Sequence, residues 1–410
     1  MRYRIDSDLV IVGDGISFKN GTIIVDNNSI EFVGEQENAP VVENTIQTPV
    51  IMPGMWEAHA HFTGLRTVSL ETSFFQSSTL LGIRSVWDVN QVLKAGFTSV
   101  REVGGFGIHL NKAIKEGLIP GPRIYSAGNV IGATGGHSDI HSLPLDIFQR
   151  YIATKESFIG TIADGVDEVY KSVRTQIRNG AEVIKYCASG GVMSEIDHPI
   201  HQQFSNEEQK AIVEEADRAQ LAVAAHCHGS PGIQAAIKAG VKTIEHGSYL
   251  TEELAQQMIE KNIILVPTRY IIDKLHNAAL KMGMPEYAVN KMKTIYDRHL
   301  ESLKIAIKMG VTIALGTDIF FTGPGGPITH GDNAKELEYY VNAGMKPEEA
   351  IKTATGNGPL TLGLRAPKSG ILKQGYDADM LLLSKNPLED ITILQNRENI
   401  SKIIKSGIIV

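Results

Sequence analysis

Between residues 55 and 360, short apolar runs rich in β-branched residues alternate with longer amphipathic segments. The predicted strands cover residues 55–61, 99–103, 123–126, 183–187, 222–227, 243–246, 263–267 and 312–317. Helical periodicity covers residues 89–95, 166–179, 206–219, 231–239, 252–261 and 293–309, and several of these segments end at a glycine just before the next strand. Eight strands with seven or more helices between them predict an α/β fold, a (β/α)8 TIM barrel.

A doubly wound parallel sheet is the alternative fold for the same alternation. Its dinucleotide-binding form carries G-x-G-x-x-G between a strand and a helix. The glycines at positions 104, 105 and 107, and those between 323 and 327, do not have this spacing. The barrel is therefore the favoured prediction.

The two ends of the chain have a different pattern. Residues 9–12, 21–25 and 30–33 are short apolar runs separated by turn residues, and similar runs return after residue 365. Neither end has enough strands to close a sandwich alone. We therefore predict one small β-sandwich domain built from residues 1–54 and 361–410, beside a barrel domain of residues 55–360.

Composition limits the partners and the compartment. The 410 residues are 42% hydrophobic, enough for a large core, and the net charge of −7 with no basic run argues against nucleic acid. No run of eighteen apolar residues and no signal-like leader occurs, so we expect no membrane partner and a cytoplasmic location. Cys187 and Cys227 have no C-x-x-C spacing, which fits a reducing compartment without disulfides.

Histidines at strand ends predict a metal site. His59 and His61 are two residues apart, so on a strand they project from one face and form a ligand pair. The same alternation puts His226 on the inward face of the fifth strand, His246 on that of the sixth with Ile244, and Asp318 at the end of the eighth. Barrel enzymes carry their functional residues at these strand ends. Five such ligands exceed what one tetrahedral catalytic zinc uses.

Lys185 accounts for the excess. On the fourth strand it shares a face with Val183 and Cys187, so its ammonium would point at the metal pocket. Burial and a nearby dication lower a lysine pKa, and the neutral amine can react with carbon dioxide to give a carbamate, an anionic bridge for two ions. The alternative is a lysine that reaches solvent or pairs with Glu182.

These residues resemble the metal-ligand set of the amidohydrolase superfamily. More narrowly, residues 98–105, 121–123, 136–139, 184–194, 225–229 and 243–247 resemble the group of prolidases and Xaa-Arg/Xaa-Lys carboxypeptidases related to imidazolonepropionases. The resemblance covers nearly the whole chain and includes residues 378–384. A departure is Glu57, where the family more commonly has Asp.

The resemblance implies two Zn²⁺ ions per chain. His59, His61 and Asp318 would hold one ion, His226 and His246 the other, and N6-carboxylated Lys185 and hydroxide would bridge them. Imidazolonepropionases lack the bridging lysine and use one metal, so Lys185 argues against that activity.

The catalytic and substrate residues follow from the same resemblance and from position. Asp318 is predicted to take the proton of the attacking water and pass it to the leaving amine. His137 and His228 match positions that contact the substrate's carboxylate or scissile carbonyl. Arg269, after the seventh strand, could pair with a carboxylate or be a solvated arginine. His198 and His201 lie on the loop after the Lys185 strand, and neither is assigned a role.

The predicted activity is hydrolysis of the terminal amide or peptide bond of a small substrate with a free carboxylate. Proline is the favoured leaving residue, Arg or Lys comes next and a large apolar residue third. The alternatives are a non-peptide amidase or lactonase acting on N-acyl amino acids, aryl amides such as a mycotoxin, or carbamates, and a non-catalytic assembly protein, which would be expected to have lost ligands. We also expect a homo-oligomer.

Overall fold

The computed structural model describes residues 2–153, 160–323 and 326–410. Its strands are β1 (Arg2–Ile11), β2 (Ser17–Asp26), β3 (Ser29–Glu35), β4 (Thr45–Pro53), β5 (Met55–Ala60), β6 (Phe97–Glu102), β7 (Arg123–Ser126), β8 (Val130–Gly132), β9 (Gly160–Ile162), β10 (Ile184–Cys187), β11 (Val223–Cys227), β12 (Thr243–His246), β13 (Ile264–Val266), β14 (Met380–Leu383), β15 (Ile400–Lys405) and β16 (Ile408–Ile409). Its α-helices are α1 (Ser78–Lys94), α2 (Gly107–Lys115), α3 (Leu145–Ala153), α4 (Gly165–Asn179), α5 (Asn206–Arg218), α6 (Ser230–Ala239), α7 (Glu252–Glu260), α8 (Arg269–Ala278), α9 (Glu286–Met309), α10 (Lys335–Asn342) and α11 (Pro347–Thr353).

Both ends of the chain contribute to one seven-stranded sheet, with the strand order β16-β15-β14-β4-β1-β2-β3. One face of this sheet packs on its own apolar cluster, which includes Ile51 and Leu382. Their neighbours Met52 and Leu381 point the other way, into the large core of the parallel strands. The chain ends therefore pair as predicted, but a two-sheet sandwich is not confirmed, because all seven strands belong to one sheet.

The central strands form two parallel sheets, β5-β6-β7 and β13-β12-β11-β10-β8-β9. They suggest a barrel-like domain with helices between successive strands. Most of these strands are buried along their whole length, as expected for parallel strands covered on both faces. The short strands β8 and β9, which pair with each other, were not predicted.

Residues 312–317 were predicted to form the eighth strand, and the structure corrects this prediction. The segment forms isolated bridges and single hydrogen bonds instead of a regular strand: Leu265 N donates to Thr312 O at 2.9 Å, and Ala58 N donates to Leu315 O at 2.7 Å. The segment thus lies between β13 and β5. A closed eight-stranded barrel is not confirmed, because the two parallel sheets stay separate and this segment joins neither as a strand.

Glycine ends several helices as predicted. Gly180, Gly240 and Gly310 follow α4, α6 and α9 in the left-handed conformation, with φ of 101°, 93° and 79°. Helix α1 begins eleven residues earlier than predicted, at Ser78 rather than 89. Its first turns do not have an amphipathic pattern, because Ile83 and other apolar side chains there are exposed. Across the described residues, no helix has the length and apolar character needed to cross a membrane.

Candidate metal centre

The predicted ligands come together at one end of the parallel strands. His59 lies in β5, Lys185 in β10, His226 in β11 and His246 in β12, while Asp318 follows the irregular eighth segment. The carboxyl ends of parallel strands meet at one edge, which explains why residues so far apart in sequence converge.

Two overlapping groups of these side chains have the spacing of metal ligands. The ligand atoms of His59, His246 and Asp318 lie within 4.8 Å of one another. Those of His226, His228 and His246 do the same. Imidazole nitrogens with a carboxylate oxygen are a donor set that zinc accepts. The cluster could therefore hold a metal.

Backbone carbonyls fix two of the imidazoles. Nδ1 of His61 lies 2.8 Å from Gly104 O, and Nε2 of His226 lies 3.2 Å from Gly190 O. A carbonyl only accepts, so each of these ring nitrogens carries the proton. In the neutral rings, Nε2 of His61 and Nδ1 of His226 are then left as lone-pair donors for a metal.

Hydrogen bonds to side chains fix two more of the imidazoles. Nδ1 of His246 lies 2.7 Å from Thr268 Oγ1, and Nδ1 of His59 lies 2.7 Å from Glu245 Oε2. Glu245 also accepts two hydrogen bonds of 2.8 Å from Arg101. Burial opposes ionisation of Glu245, but the charge of Arg101 and the contact with His59 outweigh it and hold the pKa of that carboxyl below its usual range. An ionised Glu245 orients the His59 ring.

Arg101 and Glu245 were not predicted as site residues. Both are fully buried. The signal available in the sequence was a charged residue inside an otherwise apolar strand, since a buried charge requires a partner. What the sequence does not give is the pairing of two strands 144 residues apart.

Glu57 stands behind the cluster. Its carboxylate accepts hydrogen bonds from the backbone N–H of His59 at 2.8 Å, from Thr317 N at 3.0 Å and from Asn333 Nδ2 at 2.8 Å. Burial raises the pKa of Glu57 to about 7 even though these donors oppose the shift. Glu57 thus holds the backbone of β5 and of the eighth segment together beside the metal-capable groups.

The alternation predicted for β12 is wrong. Glu245 contacts Arg101 and His59 in the interior, whereas Ile244 packs in the outer apolar core, so Ile244 and His246 do not share a face. His246 still reaches the cluster because its backbone turns at the strand end, with φ of 68°. Asp318 has a similar φ of 56°. Such conformations are costly for these residue types and concentrate at functional sites.

Lys185 has an unusual environment. Its side chain is buried, and Nζ has no hydrogen-bond partner among the described residues. Burial lowers the pKa of this amine from its ordinary value, although Glu245 and Asp318 oppose the shift. An unpaired amine beside a cluster of metal-capable groups is compatible with carboxylation to a bridging ligand.

Asp318 lies against two imidazoles. Its Oδ1 is 3.4 Å from Nε2 of His59 and 3.2 Å from Nε2 of His61. Burial opposes ionisation, but these two histidines outweigh it, so the pKa of Asp318 lies well below its usual value. The carboxylate is therefore ionised at neutral pH.

His137 and His228 flank the cluster. The His137 ring stacks on His226 with centroids 4.4 Å apart, and the His228 ring stacks on His246 at 4.8 Å. Nδ1 of His228 lies 2.7 Å from Ser248 Oγ. Burial lowers the pKa of His228 to about 3 and also lowers the pKa of His137, so both rings are neutral at pH 7.

An open cavity leads to the cluster. Its polar end includes Asp318 and five histidines, among them His137 and His228. The rest of the wall is mostly apolar, with the side chains of Leu70, Val130, Val192, Met193, Ile271, Ile272, Leu275, Met292, Ile295 and Phe320 among its lining. A mostly apolar cavity with a few convergent polar groups is typical of a small-molecule site.

Other predicted residues lie outside this cavity. Arg269 is buried, donates to Tyr296 O at 2.8 Å and places its guanidinium 4.3 Å from the centre of the Tyr296 ring. His198 and His201 stack on each other with centroids 5.0 Å apart. None of these three side chains lines the cavity. Pairing of Arg269 with a substrate carboxylate stays a prediction, whereas its alternative as a solvated arginine is wrong, because the residue is buried. Cys227 packs in the apolar core.

Comparisons with known proteins agree with this arrangement. The family model described as the amidohydrolase family matches residues 50–410. Ochratoxinase of Aspergillus niger is 43% identical over 97% of this chain and 84% of its own length. The crystal structure of A. niger ochratoxinase superposes with a TM-score of 0.91 at 40% identity, covering all of this chain and 95% of that one. A Xaa-Pro dipeptidase solved with methionine in its active site has a TM-score of 0.89 at 30% identity, with both chains fully covered. This chain therefore belongs to the amidohydrolase family and is a hydrolase that acts on amide bonds.

Proposed function

We propose that this chain uses two zinc ions to hydrolyse the amide bond of a small N-acyl amino acid or dipeptide that has a free carboxylate. The observation that carries the proposal is a cavity lined both by members of the two metal-capable groups, His226, His228, His246 and Asp318, and by a wall of apolar residues. A few convergent polar groups within a mostly apolar cleft are typical of small-molecule sites.

The two ions would be held by the residues that the family resemblance implies. One takes His59, His61 and Asp318, and the other takes His226 and His246. The lone-pair nitrogens left by the hydrogen bonds of His61 and His226 support this arrangement. When bound, the ions supply a Lewis acid that polarises the amide carbonyl and lowers the pKa of water.

Carboxylated Lys185 is the proposed bridge. The support is its buried amine, which has no hydrogen-bond partner among the described residues and a lowered pKa. As a carbamate it would offer two anionic oxygens in a place where an ammonium would be repelled by cations.

The protein's own groups handle the proton and the substrate. Asp318 accepts a proton from the attacking water and returns it to the leaving amine. His137 and His228 contact the substrate's carboxylate or scissile carbonyl, and both rings line the cavity beside the cluster.

The wall favours a large apolar or aryl group next to the scissile bond. Of the described residues that line the cavity, Asp318 is the only acidic one, and it belongs to the cluster, so a leaving Arg or Lys would lack its own partner. The apolar leaving residue, third in the order drawn from sequence, fits the wall best. The similarity to an ochratoxinase and to a dipeptidase solved with methionine supports the same choice. Ochratoxin is accordingly a candidate substrate.

The proposal includes the fold around the site. The parallel strands between residues 55 and 360, together with segment 312–317, close into a (β/α)8 barrel, and residues 1–54 and 361–410 form the second domain. The hydrogen bonds of the eighth segment to both β13 and β5 support closure.

The test combines metal analysis with a matched substrate panel. We expect about two zinc ions per chain, as a binuclear site requires. The highest kcat/KM is expected for ochratoxin A or N-acetyl-phenylalanine, with lower values for Xaa-Pro and Xaa-Arg dipeptides. N-acetyl-phenylalanine amide is the control for the carboxylate and should be a poor substrate.

Each result bears on a separate part of the proposal. Equal cleavage of the free acid and its amide would overturn the carboxylate requirement and leave a general amidase. Faster cleavage of Xaa-Pro would overturn the role given to the wall. Full activity with one metal and unmodified Lys185 would overturn the bridge.

A further inference from the structure

A buried carboxylate organises the loop between β10 and α5. Asp197, with 5% of its side chain exposed, accepts hydrogen bonds at Oδ1 from Ser194 Oγ and, at 3.1 Å, from Lys291 Nζ. Its Oδ2 accepts from Gly191 N at 2.9 Å and from Gln203 Nε2 at 3.0 Å. Four donors converge on one carboxylate, which fixes its position in the loop.

Ser194 connects this carboxylate to His137. Ser194 Oγ lies 2.8 Å from His137 Nδ1. A hydroxyl has one proton and a carboxylate only accepts, so Ser194 donates to Asp197 and accepts from Nδ1–H of His137. Nε2 of His137 is then the ring atom left for the cavity, which His137 lines.

The His137 ring has a close-fitting seat. On one side it stacks on His226. Gly191 also lies against the ring, so close that an added Cβ there would collide with it. The backbone N–H of His137 donates to Gln203 Oε1 at 3.2 Å, so the same loop holds both its main chain and its side chain.

Lys291 ties this loop to the apolar wall. It lies in α9 next to Met292, and Ile295 one turn later also lines the cavity. Besides pairing with Asp197, its Nζ donates to Ser194 O at 2.6 Å. One buried cation therefore joins the loop that seats His137 to the helix that supplies part of the wall.

We propose that Lys291, Asp197 and Ser194 are positioning residues that act through His137. They keep the proton of His137 on Nδ1, which donates to Ser194. They thereby direct Nε2 of His137 toward a substrate that lies against the apolar wall. This inference rests on the proposed function, in which His137 contacts the substrate.

The activity test is a double-mutant cycle with N-acetyl-phenylalanine as the probe. Ser194→Ala and Asp197→Asn should each lower kcat/KM about ten- to hundredfold, the scale of other residues that orient a site group. In a His137→Ala background the same changes should cost less than about twofold, because their route to the substrate is gone. Lys291→Arg should retain more activity than Lys291→Met, and zinc content should match the wild type throughout.

Asp379→Asn is the matched control. It breaks a second largely buried ion pair, with Arg123, that lies outside the cavity. It should lower thermal stability and leave kcat/KM unchanged in both backgrounds. Losses of equal size with and without His137 would overturn the proposal and leave Asp197 a purely structural residue.

A second readout does not depend on turnover. The measurement is a nitrogen NMR spectrum of metal-free protein with ¹⁵N-labelled histidine at pH 8. The signals of His137 are those that are lost in His137→Ala. They should show the ring proton on Nδ1. Ser194→Ala should move the proton to Nε2. A proton on Nε2 in the wild type, or no change in the variant, would overturn the proposal that Ser194 fixes the proton of His137 on Nδ1. If no panel substrate is cleaved, the proposed function fails, but these spectra still show whether Ser194 positions the His137 ring.

Discussion

The amine of Lys185 is buried without a partner in the described parts of the chain, and an unpaired polar group in that position costs free energy. Loss of its proton lowers the cost but leaves an amine surrounded by groups suited to cations. Carboxylation would turn this neutral amine into an anion, which would suit a metal held by the neighbouring His59, His226 and His246. In the proposed function, the chemistry of this one residue would decide whether the cluster holds one ion or two.

We therefore expect Lys185→Ala to lose zinc and activity together. The fall in kcat/KM should exceed about tenfold, because the variant lacks both a ligand and its charge. A short-chain carboxylic acid added to the variant should restore part of both, since it can occupy the space and supply the two oxygens, while the wild type should not respond. Unchanged zinc content in the variant would contradict the bridge.

Asp318 is expected to separate metal binding from turnover. Asp318→Asn keeps an oxygen that can act as a ligand but cannot take a proton from water. Zinc content, measured by elemental analysis, should stay closer to wild type than kcat does. A proportional loss of both would mean that the residue serves chiefly to hold the ion.

At the scale of elements, regular patterns were predictable and special backbone positions were not. Strands β7 and β12 begin and end at the predicted residues, and the glycines after α4, α6 and α9 mark helix ends as expected. The alternation rule then failed at His246, because it assumes extended backbone and the observed φ is left-handed. The contacts that hold this turn, such as that of Thr268 with the His246 ring, come from another part of the chain.

The loop that seats His137 shows the same limit. Its sequence has no period, and its form depends on Lys291 from α9, about a hundred residues away, reaching Asp197. A motif comparison singled out His137, whereas the carboxylate and the cation that hold it carry no local signal. Long-range polar pairs are therefore the part of this site that the sequence conceals.

Helix α9 also carries a buried histidine that should make stability depend on pH. Nε2 of His299 donates to Pro267 O at 2.6 Å, and burial, with help from Arg269, lowers the pKa of His299 to about 3. The unfolded chain binds this proton near pH 6.5, so stability is lost as pH falls below that value, by about 1.4 kcal/mol per pH unit until the folded pKa is reached.

His299→Gln keeps a donor for Pro267 but has no titratable group. Between pH 6.5 and 4 its free energy of unfolding should fall less steeply than that of the wild type. The difference in slope should be about 1.4 kcal/mol per pH unit, which corresponds to one proton. Urea titrations of the metal-free proteins at pH 7, 6, 5 and 4 measure the difference. Parallel curves for the two proteins would show that His299 does not remain neutral in the folded state.

At the scale of the whole molecule, the sheet made from the chain ends is joined to the parallel strands by chain continuity and by buried charge. β4 belongs to the first sheet and leads through Gly54 into β5, which carries His59. Gly54 N donates to Asp379 O at 3.0 Å, directly before β14. The Asp379 carboxylate pairs with Arg123 of β7 and accepts from Ser406 N at 2.7 Å.

Asp379→Ala is expected to destabilise the protein as one unit. It leaves Arg123, three-quarters or more buried, without its main partner, and breaking such a pair costs on the order of 3 kcal/mol. Glu252→Ala is the control, because its pair with Lys308 is exposed on both sides and should contribute less than about 1 kcal/mol. Thermal unfolding followed by calorimetry should show a single transition at lower temperature for Asp379→Ala and little change for the control. Two separate transitions in the variant would mean that the sheet and the parallel strands fold independently, and an Asp379→Ala transition no lower than the control's would mean that the Arg123 pair does not join them.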